Sequence, residues 1–177
     1  MKLYATYGFL IALGSAILTM ALFALDFHTY ENMAAGQKWN WLGLLISIAG
    51  LSMGMREWRN EVGKGVMSYG RAFGTGFLIS IWSALFGAVF TFVYFAFINP
   101  GFTDAMVQFQ MAEMERKGMP AATIEQTEGV LRFFSSTPVL TIFSAIMACI
   151  FGAIISLILA AIFKSKPGQS APPPITA

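Results

Sequence analysis

The chain has 177 residues, 56% hydrophobic and 11% charged, with a mean hydropathy of +0.66. A soluble domain carries about 25% charged residues, so this balance excludes an ordinary water-soluble enzyme or binding domain. The net charge of +2 is spread along the chain and gives no nucleic-acid-binding patch, while one cysteine and one histidine exclude an internal disulfide and an ordinary His/Cys metal site.

Four charge-free apolar runs follow one another, at Leu3–Leu25, Trp39–Met55, Ala72–Ile98 and Val139–Phe163. A charge at the bilayer centre costs roughly 2.5–3.5 kcal/mol, so runs without Asp, Glu, Lys or Arg are predicted to be membrane spans. At ~1.5 Å per residue they measure about 35, 26, 41 and 38 Å. The second is short for a hydrocarbon core about 30 Å thick. Trp39 and Trp41 at one end and Trp58 beyond the other are suited to hold its depth at the two interfaces. The first run exceeds the ~7–15 apolar residues of a signal peptide and lacks an Ala-x-Ala site, so a retained span is expected.

At the outer end of the first run, His28 stands with Asp26 and Glu31, a polar cap at an interface. The segment after the second run, Arg56-Glu-Trp-Arg-Asn-Glu-Val-Gly-Lys-Gly-Val-Met-Ser-Tyr-Gly-Arg-Ala-Phe-Gly74, is the most distinctive stretch. Its Gly63-Lys64-Gly65 fails as a phosphate loop, because Trp58 and Gly65 stand where Walker A needs a glycine and a Ser or Thr. Arg56, Arg59, Lys64, Tyr69 and Arg71 are the candidate contacts to anionic lipid or to a partner. Residues 99–138 read as two short helices. The first covers Asp104–Lys117, capped by Thr103 and Gly118, with Val107, Met111 and Met114 on one face. The second covers 122–135, with Ile124, Leu131 and Phe134, and leads past Pro138 into the last span.

Seven cations (Lys2, Arg56, Arg59, Lys64, Arg71, Lys164, Lys166) fall on one side of the predicted spans and four (Lys38, Arg116, Lys117, Arg132) on the other. The positive-inside rule then places both termini in the cytoplasm. Small residues form stripes at i, i+4, i+7, i+11: Gly43, Ser47, Gly50 and Gly54 on the second run, Gly76, Ser80, Ser83 and Gly87 on the third. Gly8, Ala12, Ser15 and Thr19 on the first, and Ala145, Cys149, Gly152 and Ser156 on the fourth, read the same way. Such stripes let helix backbones approach closely, within the chain or between copies of it.

Arg56-x-x-Arg59-x-Glu61, Ser68-Tyr-Gly-x-Ala-Phe-Gly74, Asn99-Pro100, Glu113-Met-Glu-Arg-Lys-Gly118 and the closing Gly152…Ser156-Leu-Ile…Ala161-Ile-Phe-Lys164 together resemble a bacterial membrane family, domain-of-unknown-function family 4199. The resemblance covers nearly the whole chain and implies four spans in a bacterial inner membrane. It implies no activity and carries over no catalytic residue.

The expectation is therefore an all-α polytopic membrane protein: a four-transmembrane-helix antiparallel bundle over residues 1–166 with a short extracytoplasmic helical hairpin, and a Pro-rich disordered cytoplasmic tail over 167–177. No catalytic residue, metal or cofactor is expected. The expected role is a non-enzymatic accessory or scaffolding component of a bacterial inner-membrane assembly, in contact with the lipid bilayer and with itself or another membrane protein. The alternative is a small oligomeric transporter or channel with Ser80, Ser83 and Thr91 lining its route. An enzyme acting on lipid would have to use His28 with Asp26, or Glu61 with Tyr69.

Overall fold

The computed structural model describes residues 1–165, so the Pro-rich tail lies outside the described residues. Every regular element among them is helical: α1 (Lys2–Ala24), α2 (Met33–Gln37), α3 (Trp41–Glu57), α4 (Tyr69–Val93), α5 (Phe102–Arg116), α6 (Ala121–Ser135) and α7 (Thr137–Phe163). Helices α3 and α4 each run into a π-helical turn, Trp58–Val62 and Tyr94–Ile98, where Gly63 N–H reaches Trp58 O and Asn99 N–H reaches Tyr94 O. Three helices are long and apolar enough to cross a membrane: α1, α4 with its π turn (Tyr69–Ile98), and α7. Helix α3 is free of charge up to Arg56, but its 17 residues make it the shortest of the four main helices.

Local chemistry sets the boundaries. Ser68 caps α4 by accepting from Arg71 N–H, and α7 starts with Pro138 in its first turn, where no amide partner is lost. Gly118, at φ +74°, ends α5 in the left-handed conformation that glycine adopts freely. Thr103 does not cap α5. The helix begins two residues ahead of the expected Asp104, at Phe102 with Gly101 at the cap, so Thr103 lies inside the first turn.

Helix α4 packs on α7, α1 and α3, while α1 and α7 each also pack on α3. Side-chain neighbours fix the directions. Gly50 lies against Ile11 and Gly54 against Tyr7, so α1 and α3 are antiparallel; Phe9 meets Phe86 and Phe23 meets Tyr94, so α1 and α4 are parallel. On α4 and α7 the pattern Gly-x-x-x-Ser occurs twice and interlocks head to tail. Gly76 faces Ser156 and Gly152 faces Ser80. A Cβ on Gly76 would lie 2.5 Å from Ser156 Oγ, and one on Gly152 would lie 2.5 Å from Ser80 Cβ. Each serine thus occupies the space left by the opposing glycine.

One end of the bundle, here called basal, carries the N-terminus, the 58–68 segment and the end of α7; the distal end carries α2, α5 and α6. The core sits toward the basal end, where Ile11, Leu51, Met55, Ile79, Ile155 and Leu159 are buried with Leu3, Tyr4 and Tyr7 against them. Outside this core, Leu10 and Ile17 on α1, Leu85 and Val89 on α4 and Ile142, Phe151 and Ile158 on α7 are exposed. Large apolar side chains on the outer faces as well as in the core are the arrangement that suits a lipid surround.

At the distal end Arg132 links α6 to Asp104 on α5 at 3.1 Å. Val107 is buried and Met111 and Met114 are half-buried, whereas Phe134 on α6 is exposed.

Gly8 on α1 has no room for a side chain against α4. Its Cβ would stand 2.8 Å from Ser83 N and 2.9 Å from Trp82 C, which are backbone atoms that cannot swing aside. Gly43 has nothing within 4 Å. Gly8→Ala is expected to lower stability by about 1–3 kcal/mol through forced separation of α1 and α4. Gly43→Ala is expected to be neutral or stabilising by up to about 1 kcal/mol through helix propensity. Unfolding midpoints in detergent measure both.

Candidate functional site

At the basal end the 58–68 segment is tied down by backbone. Lys64 and Gly65 take positive φ, +48° and +85°, to turn the chain. Arg59 Nε donates to Gly65 O at 2.9 Å while Gly65 N–H donates to Arg59 O at 2.8 Å. Ser165 closes the far side: its Oγ accepts from Met67 N–H at 2.8 Å and its N–H donates to Met67 O at 2.7 Å. Met67 is buried against Ala72 and Ala160, with Trp58 and Phe73 packed around. On α1, Tyr7 donates to the Glu57 carboxylate at 2.5 Å.

The five candidate contact residues therefore divide. Arg59 is half-buried and holds the turn, and the exposed Tyr69 donates to Leu157 O at 3.3 Å. Arg56, Lys64 and Arg71 are exposed and join no ion pair among the described residues. The ion pairs among those residues lie on α5 and α6, where Arg116 meets Glu113 at 2.8 Å and Arg132 meets Glu128 at 2.8 Å as well as Asp104. The Arg116 guanidinium holds the Glu113 carboxyl below its ordinary pKa.

The small-residue stripes also divide. Gly50, Gly54, Gly76 and Ser80 meet neighbouring helices within the chain, Gly54 against Ile79 and Tyr7. Gly43, Ser47 and Ser83 line a cavity of about 490 Å³ between α3 and α7, and Gly87 lines one of about 700 Å³ between α1 and α4. The bundle is thus tight at its basal half and open at its distal half.

A polar cluster seals the distal end of the larger cavity. The hydroxyl of Tyr94, which is 5% exposed, bonds to His28 Nδ1 and accepts from Asn99 Nδ2 at 3.0 Å. Phe23, Phe95 and Phe102 surround Tyr94 edge-on. The amide nitrogen can only donate, and in the neutral imidazole tautomer with its proton on Nε2 the Tyr94 hydroxyl donates to Nδ1. Burial lowers the His28 pKa and favours that neutral form. His28 thus takes a tyrosine as partner, and Asp26 and Glu31 are exposed beside it with no side-chain bond to it. Among the described residues no three His, Cys, Asp or Glu side chains group as metal ligands.

Tyr94 was not among the residues singled out in the sequence, and Asn99 entered only through the Asn99-Pro100 pair of the family resemblance. The available signal was a phenol inside a charge-free span, since a hydroxyl there must find a partner.

The model of the family described as "Protein of unknown function (DUF4199)" matches residues 6–165. The chain belongs to this family. The match takes in all but the first turn of α1, the other six helices, the Met67–Ser165 closure and the His28–Tyr94–Asn99 cluster. No curated protein and no solved structure matches the chain.

His28 ties stability to pH. The unfolded imidazole takes a proton near its ordinary 6.5, whereas the folded one resists it to lower pH. The stability from keeping it neutral is complete above that value and is lost as pH falls through it toward the folded pKa. Midpoints should drop between about pH 7.5 and about 5.5, and His28→Gln should flatten that part of the slope. At constant pH, Tyr94→Phe should cost about 1–3 kcal/mol by leaving His28 and Asn99 without their shared oxygen.

Proposed function

We propose that the chain is a non-enzymatic, multi-pass protein of a bacterial inner membrane, with α3 as a fourth span beside α1, α4 and α7. In this reading the basal end is cytoplasmic, with both termini, and α5 and α6 form an extracytoplasmic hairpin. Its role is that of an accessory or scaffolding component, which holds anionic lipid or an acidic partner against the basal face. The observation that carries the reading is the group of cations gathered around the basal turn. Arg56, Lys64 and Arg71 are exposed there without ion pairs among the described residues, while at the distal end Arg116 and Arg132 are paired and Lys38 and Lys117 are not.

The transporter alternative needs Ser80, Ser83 and Thr91 on one route. Ser80 and Ser83 line the α3–α7 cavity and Thr91 lines the α1–α4 cavity, with the basal core closed below them. The three hydroxyls thus fall on two cavities that share no lining residue. Gly50 and Gly54 lend little surface to a seam between copies, because Ile11, Tyr7 and Ile79 already stand against them.

Each cation near an acidic surface is worth ~1 kcal/mol, so three amount to about a hundredfold in affinity. Gentle extraction of the tagged protein should recover a stoichiometric partner or tightly held anionic lipid, and Arg56/Lys64/Arg71→Gln should reduce that recovery to background. Undiminished recovery by the triple variant would overturn the reading. A clean homo-oligomer that supports solute flux in proteoliposomes would replace it with the transporter.

A further inference from the structure

The larger cavity lies between α1 and α4 in the half of the bundle that is not closed by the core. At about 700 Å³ it falls within the roughly 300–1,000 Å³ of small-molecule sites. Its wall is apolar over most of its length, with Leu13 and Ala16 on one side and Phe90 on the other. Ile17, Met20 and Val93 line it and are exposed, so the cavity opens sideways, toward lipid if these helices span a membrane. Of the hydroxyls along it, Thr19 spends its proton on Ser15 O. Gly87 faces the cavity with nothing within 4 Å of a Cβ built upon it.

The distal end has a different chemistry. His28 lines it, held by Tyr94, which is held in turn by Asn99. That chain of bonds engages Nδ1, and Nε2, which has no protein partner among the described residues, is the donor in the tautomer that accepts the Tyr94 proton at Nδ1. Nε2 is not a buried orphan, so it can be reached from outside. An apolar slot with an exposed rim and an imidazole lining its distal end is complementary to an aliphatic chain with a hydrogen-bond acceptor at its head.

We propose that the α1–α4 cavity binds an aliphatic-tailed amphiphile, with its tail along Leu13, Ala16 and Phe90 and a carbonyl oxygen of its head accepting from His28 Nε2–H. A bilayer phospholipid and a single-chain fatty acid share this chemistry, through an ester and a carboxyl carbonyl respectively. The site is separate from the basal cations and stands or falls independently of the scaffolding role.

The test is native mass spectrometry of the full chain released from phosphatidylethanolamine/phosphatidylglycerol vesicles, with and without added palmitate. One retained molecule per chain is expected, and its mass names the source: phospholipid in both preparations, or palmitate only where it was added. Gly87→Leu fills open space and should keep the unfolding midpoint while reducing retention at least tenfold. His28→Phe removes the donor and should reduce retention severalfold. Gly43→Leu, which fills the other cavity, should leave retention unchanged. No retained molecule in either preparation would overturn the proposal, as would equal retention by wild type, Gly87→Leu and His28→Phe. Should His28→Phe lower the midpoint, Gly87→Leu alone decides.

Discussion

The interlock of Gly76 and Ser80 with Gly152 and Ser156 is the contact on which the bundle hangs. In lipid there is no hydrophobic force to press one apolar helix against another, so association rests on close backbone approach and filled space. Two copies of Gly-x-x-x-Ser in opposite directions satisfy this with the smallest parts available, since each hydroxymethyl takes the place of a missing side chain. Ser80 returns its proton to Gly76 O at 2.9 Å, whereas Ser156 Oγ is buried without a partner and contributes by shape. With α7 drawn onto α4, Met55 and Ile79 complete the basal core and α1 closes over it through Gly8.

Much of the architecture was legible in the sequence, and the reasons for the remainder are physical. Charge-free runs identify long apolar helices because a buried charge is costly in lipid, and α1, α4 and α7 fall where those runs lie. Spacing at i, i+4, i+7, i+11 names a helix face, yet it carries no information about depth or neighbour. It grouped Gly76 with Gly87, although one meets Ser156 and the other borders a cavity. Capping residues are ambiguous by one turn when glycine and threonine stand close together, which is why α5 starts ahead of Thr103. The π turns leave no periodic signature at all.

The distal cluster was hidden for another reason. His28 and Tyr94 are 66 residues apart, and the carboxylates adjacent in sequence to His28 were the more visible partners. Only tertiary structure shows that the imidazole turns from Asp26 and Glu31 toward an aromatic pocket. The two ends of the molecule consequently differ in kind: exposed cations over a backbone-locked turn at one, a desolvated relay of three polar groups at the other.

A single residue, Ser136, with φ −63° and ψ 141°, separates α6 from α7. At its far end α7 is fastened to the 58–68 turn by the paired bonds between Met67 and Ser165. Helix α7 is therefore a strut fixed at both ends, with no slack loop at its distal joint to absorb displacement. Its 27 residues thus join the α5–α6 end of the molecule to the turn beside Arg71 as one continuous helix.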